Sequence, residues 1–150
     1  MKTFNGLDEF EQAVGTHLSY SHWHTITQEQ INLFAEATGD HQWIHTDPER
    51  AATGPFGTTI AHGYLPLSPV SALVWQIYTV EGLRMGASYG CNKVRLPSPV
   101  PVGSRIRAGV ELLDLKRNPR GAQATVQVTI EQEGGDKPAC VAETVSVLVN

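Results

Sequence analysis

Residues 105–131, RIRAGVELLDLKRNPRGAQATVQVTIE, indicate the fold more clearly than any other stretch of this 150-residue chain. Apolar residues alternate with polar or small ones along residues 106–112 and again along residues 124–130. This period of two is typical of half-buried β-strands. Between the two runs, Asn118-Pro-Arg-Gly121 supplies the residues of a tight turn. The stretch therefore predicts two long antiparallel strands joined by a hairpin.

The same pattern extends to both sides of this hairpin. Residues 141–149 carry spaced valines after a turn signal at residues 133–136. Upstream, residues 85–96 are predicted as a further strand. The second half of the chain thus predicts a meander of about four long antiparallel strands.

The first half of the chain has helical spacing instead. Thr27 and Gln30 form a capping box in front of Ile31, and Gly39 is a natural helix end. Asp47 followed by proline predicts a second, short helix over residues 48–52, because Pro is favoured in the first turn.

A longer apolar segment, residues 62–78, is predicted to form the central helix. Pro66 and Pro69 complicate it. The helix either begins at Ser68 after an irregular turn, or begins at the start of the segment and kinks. We expect it to run to the end of the segment with distorted first turns. Helices followed by a meander predict one α+β domain over residues 1–150, with the sheet packed on this helix.

Composition limits the classes of partner. Charged residues make up 17% of the chain, with a formal net charge of −4. Since globular domains average about 25% charged residues, a partner subunit is expected to cover part of the surface. Nucleic acid is disfavoured because a phosphate-binding face needs clustered Lys and Arg. Neither a secretory signal nor an apolar run of membrane-spanning length is visible, so we expect a soluble cytoplasmic protein.

Several common catalytic motifs are missing from the chain. It contains no Walker loop, no dinucleotide-binding glycine motif, no serine nucleophile elbow and no HExxH zinc motif. The six histidines raise the question of a metal, but nothing in their spacing forces three or four ligands together. Cys91 is interpreted as a core residue rather than a nucleophile.

Polar residues are densest in residues 39–48, GDHQWIHTDP, and residues 56–63, FGTTIAHG. Asp40 leaves a helix end, and His45 follows five residues later, so the two converge only if the loop curls. A carboxylate and an imidazole on one water can exchange protons at neutral pH. Backbone N–H groups at the next helix start could stabilise a carbonyl oxygen. The alternative is structural: Asp40 caps local backbone, and His45 is a satisfied buried histidine.

These residues resemble a known family. The pairs Gly39-Asp40, Ile44-His45 and Asp47-Pro48, with Ala51 and residues 56–63, are similar to the hydratase motif of MaoC-like (R)-specific enoyl-CoA hydratases. Residues 92–103, NKVRLPSPVPVG, are similar to the later strand and turn of that family. The resemblance covers residues 22–150. It implies a hot-dog fold, in which an antiparallel sheet wraps a long central helix, usually paired as a dimer.

The resemblance also implies an activity. It is the reversible hydration of a trans-2-enoyl-CoA to an (R)-3-hydroxyacyl-CoA, with no metal or redox cofactor. Asp40 and His45 match the catalytic pair of the family, and Gly63 matches the residue whose backbone N–H polarises the thioester carbonyl. The family motif has Asn and Pro where this chain has Gln42 and Trp43.

Further expectations concern the rest of the substrate. Leu65 and Leu73 are candidates for contacting the acyl tail. Lys93 and Arg95 are candidates for binding the CoA phosphates. The alternative for both cations is that they belong to a solvent-exposed face of a strand. A homodimer is expected, because an unpaired sheet edge would otherwise stay open.

Two other functions stay open beside the hydratase. A hot-dog thioesterase would direct water at the carbonyl carbon and release CoA. A non-catalytic acyl-thioester-binding subunit is favoured by the altered pair Gln42 and Trp43.

Overall fold

The computed structural model describes residues 1–150, and its two halves differ as the two periodicities predicted. The strands are β1 Lys2–Phe4, β2 His17–Tyr20, β3 His24–Thr25, β4 Tyr78–Val80, β5 Met85–Arg95, β6 Arg105–Asn118, β7 Gly121–Gln132 and β8 Cys140–Val149. The helices are α1 Leu7–Gln12, α2 Gln28–Thr38, α3 Trp43–Thr46, α4 Pro48–Ala52 and α5 Val70–Val74. The four long strands predicted for the second half of the chain are therefore confirmed as β5 to β8.

The main sheet has the order β2-β6-β7-β8-β5, and β3 pairs with β6 beside β2. All of its pairings are antiparallel. The β6–β7 hairpin closes where Asn118 faces Gly121, so the predicted turn is confirmed. The same hairpin sets which residues of β6 and β7 face the core, because a one-residue slip would turn every side chain to the opposite face.

One face of the sheet builds the core. Along β6, Ile106, Ala108, Val110 and Leu112 are fully buried, as alternation predicted. They belong to an apolar cluster of 27 buried residues that joins the sheet to the elements of the first half. Each large aliphatic side chain in such a cluster stabilises the fold by about 1.5–3 kcal/mol.

A second, small sheet closes one end of the core. Strands β1 and β4 pair in parallel, with Phe4 opposite Val80, and the sequence did not predict either strand. Phe10 stacks on Tyr78 with ring centroids 5.2 Å apart. Burial among these rings raises the pKa of Tyr78 to about 12.

Helix α2 begins and ends as predicted. The Thr27 side chain accepts a hydrogen bond from Gln30 N–H at 3.1 Å, and Gly39 ends the helix in the left-handed conformation with φ 78°. Only half of the capping box forms, because the Gln30 side chain accepts from His24 Nε2 instead of returning to Thr27. The Asp47 side chain caps α4 by accepting from Arg50 N–H at 3.1 Å.

The central segment departs from prediction. Regular helix covers only Val70–Val74, and turns occupy residues 63–69 and 75–77. The expected distortion of the first turns is confirmed, but the expected long helix is wrong in extent. Pro66 and Pro69 have no N–H and interrupt the hydrogen-bond ladder. At the other end the chain tightens into turns whose bonds span three residues, such as Ile77 N–H to Val74 oxygen.

No helix in the chain combines the length and the apolar character needed to cross a lipid bilayer.

Candidate active site

The loop after α2 brings Asp40 and His45 together. Gly39 turns the chain out of the helix, and one carboxylate oxygen of Asp40 then accepts from Gln42 N–H at 3.2 Å. This local bond curls the loop into α3, which carries His45 inwards, where only 6% of its surface is exposed. The loop therefore curls, as the convergence of Asp40 and His45 requires. Asp40 itself remains exposed to solvent.

His62 joins this pair from a separate segment. The ligand-type atoms of Asp40, His45 and His62 lie within 4.8 Å of one another. The spacing of the histidines gave no reason to expect this cluster. The rings of His45 and His62 are stacked, with centroids 4.0 Å apart and planes at 24°. Two imidazoles and a carboxylate can exchange protons with a water, and they are also ligand types that metals accept.

The hydrogen bonds of His45 determine its tautomer. Nδ1 lies 2.7 Å from the main-chain oxygen of Ile60, which can only accept. In the neutral ring Nδ1 therefore carries the proton, and Nε2 carries the lone pair. Ile60 is itself fixed, because its N–H donates to the main-chain oxygen of Ile44 at 3.0 Å. His45 is thus presented as an acceptor for a water proton.

A buried network holds His45 from the other side. The amide nitrogen of Gln28 donates to the main-chain oxygen of His45 at 2.8 Å. The amide oxygen of Gln28 accepts from the hydroxyl of Thr59 at 2.6 Å, and Thr59 is only 1% exposed. Sequence reasoning missed both residues, since a glutamine in the first turn of a helix carries no signal of a long-range contact.

One ring nitrogen of His62 has a hydrogen-bond partner, and the other has none. Nε2 lies 2.8 Å from the main-chain oxygen of Asp40, so in the neutral ring Nε2 carries the proton and Nδ1 carries the lone pair. Nδ1 is buried and has no hydrogen-bond partner, and the residue is only 4% exposed. A buried acceptor without a partner costs about 1–3 kcal/mol, and such costs concentrate at functional sites.

Gly63 follows directly, and its N–H donates to no acceptor within the chain. A Cβ atom here would lie 2.9 Å from Cδ1 of Leu96, the end of a partly exposed side chain, which would have to shift. The expected helix start at Gly63 is wrong: Gly63 opens a series of turns, and α5 begins only at Val70. A free donor is therefore placed beside His62, without a helix behind it.

The residues of the candidate site lie within a region of the chain that matches a protein-family model. The family model described as "MaoC like domain" matches residues 9–135, which is most of the chain. The chain belongs to the MaoC-like family. A 3-hydroxyacyl-thioester dehydratase Z from Mycobacterium tuberculosis (strain ATCC 25618 / H37Rv) is 56% identical over 146 residues, which cover 97% of each chain. Nodulation protein N from Rhizobium leguminosarum bv. viciae is 42% identical over 147 residues, covering 95% of this chain and 90% of that protein.

A solved structure extends the match to the fold. An (R)-hydratase from A. caviae, described as involved in PHA biosynthesis, superposes with a TM-score of 0.74 at 29% identity. The superposition covers 90% of this chain and 96% of that one. The hot-dog fold implied by the sequence resemblance is therefore confirmed.

Packing outside the site accommodates the two departures from the MaoC-like motif. Trp43 stands where the motif has Pro, and its ring lies 4.3 Å from the guanidinium carbon of Arg50. The other neighbour of the ring is Gly54, where a Cβ atom would lie 2.9 Å from Cζ3 of Trp43. Gln42 keeps the bond from its N–H to Asp40. The replacements therefore leave Asp40 and His45 together.

The two candidate cations lie on the edge strand of this MaoC-like chain. Lys93 and Arg95 are both exposed on β5. Arg95 donates to the main-chain oxygen of Val94 at 2.7 Å and immediately precedes Leu96, which approaches Gly63. Arg95 thus lies at the same end of the molecule as Gly63. Cys91 also lies on β5 and is exposed, so its interpretation as a core residue is wrong.

A cavity of about 500 Å³ separates the central segment from β5. Leu67, Val70 and Val74 line it from the central segment. The predicted tail residues Leu65 and Leu73 do not line this cavity and belong to the buried core cluster. Val70 belongs to both, so the central segment contacts the core and the cavity through neighbouring side chains.

Proposed function

We propose that this MaoC-like protein reversibly adds water across the double bond of a trans-2-enoyl-CoA and forms an (R)-3-hydroxyacyl-CoA. The observation that carries the proposal is the convergence of Asp40 and His45. An exposed carboxylate and the lone pair of His45 Nε2 can each accept a hydrogen bond from one water. The names of the relatives support the proposal, since a 3-hydroxyacyl-thioester dehydratase is named for the reverse direction of this chemistry.

The reaction consumes one water molecule, and overall the protein neither gains nor loses a proton. The water oxygen forms a bond to C3, while the Asp40–His45 pair takes one of its protons. The electron pair of the double bond moves towards the thioester oxygen and gives an enolate. The pair then returns a proton to C2, so that one water has been added. Because the pair lies on one side of the substrate, the hydroxyl and the proton add to the same face.

The enolate oxygen needs a hydrogen-bond donor. We assign this role to Gly63, because its N–H has no acceptor in the chain and lies next to His62 in the sequence. A preorganised backbone donor at a developing oxyanion is worth about 10²–10³ in rate. The donor acts through its own N–H, since the five-residue helix begins seven residues further along.

The remaining substrate contacts are proposed from position. Lys93 and Arg95 would meet the CoA phosphates, and the cavity lined by Val70 and Val74 would take the acyl tail. The reaction as proposed uses neither a metal nor a redox cofactor, because the thioester itself acidifies the reacting centre. The cytoplasmic location stays a prediction.

We also propose a homodimer joined through β5. Ten of the eleven residues of this edge strand are exposed, and only Val94 is half-buried. Tyr89 is 73% exposed and Trp75, from the adjoining central segment, is 72% exposed. A long unpaired edge with exposed aromatic side chains is a template for pairing, and a second copy of β5 would cover it.

The deciding experiment follows an enoyl-CoA substrate and its product. Crotonyl-CoA and longer trans-2-enoyl-CoA substrates should lose their enoyl absorbance without release of thiol. The product should be oxidised by an (R)-specific 3-hydroxyacyl dehydrogenase and ignored by an (S)-specific one. In deuterated water, the label at C2 should report syn addition.

Each alternative gives a different result in this assay. Free thiol that appears in step with substrate loss would show a thioesterase. Binding without turnover at any chain length would show a non-catalytic subunit. An (S)-product would contradict the assigned arrangement of Asp40, His45 and Gly63 even if hydration occurs.

A further inference from the structure

His62 contacts both members of the Asp40–His45 pair from a separate segment of the chain. We propose that His62 is a positioning residue, which fixes the main chain of Asp40 with its N–H and the ring of His45 with its flat face. The inference rests on the proposed hydration and assigns the residue that sets its geometry. His62 touches no substrate in this proposal and acts only through the pair.

The contact with Asp40 anchors an exposed residue to the interior. Asp40 lies in the loop after α2, and the strongest local restraint on its carboxylate is the 3.2 Å bond from Gln42 N–H. His62 Nε2 donates to the main-chain oxygen of Asp40 at 2.8 Å, over a separation of 22 residues. Because His62 is buried, this bond fixes the loop relative to the core and not only to itself.

The contact with His45 restrains its ring. The main-chain oxygen of Ile60 holds one edge of the His45 ring by a hydrogen bond to Nδ1. A single hydrogen bond still allows the ring to tilt about the line between these two atoms. The His62 ring lies against its face with centroids 4.0 Å apart. Phe34 contacts the His62 ring in turn, with centroids 5.0 Å apart, and keeps it in place. The direction of the His45 lone pair is therefore set by a hydrogen bond and a stack together.

The unsatisfied nitrogen of His62 distinguishes this role from simple packing. A phenyl ring would fill the same space without burying an unpaired acceptor, and an amide would donate without a flat aromatic face. Histidine combines a compact aromatic ring with an N–H donor. Its other ring nitrogen, Nδ1, is then buried without a hydrogen-bond partner.

Two substitutions separate the two contacts. His62→Gln keeps an N–H near the position of Nε2 and removes the ring. His62→Phe keeps the ring against His45 and removes the donor. Each should lower kcat by about tenfold, and His62→Ala, which removes both contacts, by about 10²-fold, the scale of a misplaced catalytic group. KM should stay within about twofold in all three, because His62 does not contact substrate.

A double-variant cycle tests whether His62 acts through His45. In a His45→Gln background, adding His62→Gln should cause no further loss in kcat, because the His45 ring that the His62 ring orients is already gone. A purely structural effect would multiply in both backgrounds. Leu33→Ala is the matched control, since it shortens a 63% exposed side chain beside Phe34 on the same helix, leaves the packing on His62 in place and should keep kcat within about twofold. Thermal denaturation of each variant establishes that it is folded.

Normal kcat in folded His62→Gln and His62→Phe would overturn this inference and leave the hydratase proposal standing. A rise in KM at constant kcat would also overturn it, because it would place His62 against the substrate. Absence of hydration by the unmodified protein would overturn both proposals together.

Discussion

The loop of residues 39–46 and the edge strand β5 both lie at the surface, but they differ in how their side chains are held. Contacts within the chain fix those of the loop, whereas those of β5 are left exposed. In the loop, Asp40 and His45 are held by bonds from Gln42 N–H and to the Ile60 oxygen. On β5, ten of eleven residues are exposed, and Tyr89 has 73% of its surface free. The loop is organised by one chain alone, whereas β5 has the features of a surface that a second chain covers.

This difference separates chemistry from assembly. The groups that can exchange protons are positioned by contacts within one chain, so changes there should alter turnover without altering association. The edge strand holds none of these groups, so changes there should alter association first. The predictions below test this separation, beginning with the largest expected effect.

Asp40→Asn and His45→Gln should each lower kcat by at least about 10²-fold, because each removes a group that exchanges a proton. Both replacements are close in shape to the original residue, so folding and association should hold. Steady-state hydration of an enoyl-CoA measures the effect, and the pH–rate profile of the unmodified protein should have two limbs. Glu36→Gln changes an exposed carboxylate four residues earlier and should keep normal rates. A near-normal rate in either folded variant would remove that residue from the mechanism.

Tyr89→Asp should weaken the dimer by about 30-fold in Kd, the effect of losing about 2 kcal/mol at an interface hot spot. The new carboxylate would be buried without a partner at the joined edges. Analytical ultracentrifugation over a range of concentrations measures the change. Leu33→Asp places the same charge on an exposed apolar position of α2 and should leave the dimer intact. A monomeric and fully active unmodified protein at micromolar concentration would contradict the assembly.

Gln28→Ala should destabilise the protein by about 1–3 kcal/mol, because it leaves the Thr59 hydroxyl and the His45 carbonyl without their buried partner. The melting temperature should fall by about 2–4 °C for each kcal/mol in a chain of this size. Calorimetry measures this, and kcat should fall with it because His45 loses a restraint. Gln30→Ala, on the same helix, removes a side chain whose bond to His24 lies at the surface, and it should change the melting temperature less. Equal melting temperatures for the two variants would show that the buried network contributes no stability.

The two cysteines give the smallest expected effect. Burial on β8, with a lesser contribution from Cys91, raises the pKa of the Cys140 thiol from 9.0 to about 11. Between these values the unfolded chain has lost this proton and the folded chain has kept it. The free energy of unfolding should therefore fall as pH rises from 9 to 11.

Urea denaturation at several alkaline pH values measures this slope. Cys140→Ala should flatten the slope between pH 9 and 10, whatever its effect on stability at neutral pH, while above pH 10 the raised pKa of Tyr78, about 12, still contributes to it. Cys91→Ala, on the exposed strand, should leave most of the slope unchanged, because the charge of Cys91 is the lesser cause of the shift. An unchanged slope in Cys140→Ala would show that this thiol does not titrate as its burial implies.

The sequence by itself determined the elements whose cause is local. Alternation of side chains defined β6, β7 and β8, since a period of two buries one face of a strand whatever it packs against. Thr27, Gly39 and Asp47 marked helix ends because capping depends on bonds within a few residues. The match of residues 39–63 to the hydratase motif gave the family and the hot-dog fold before any coordinates.

The tertiary structure decided everything that depends on distant segments. The central segment forms only five residues of helix between turns at residues 63–69 and 75–77, although the apolar pattern predicted a longer helix. The stack of His62 on His45 and the bonds of Gln28 to His45 and Thr59 join positions 17 to 31 residues apart. No local pattern encodes such contacts, because they arise only when the loop, the turn and α2 pack on the same core. The sequence therefore supplied the reactive groups, and the packing of these three segments determined how they face one another.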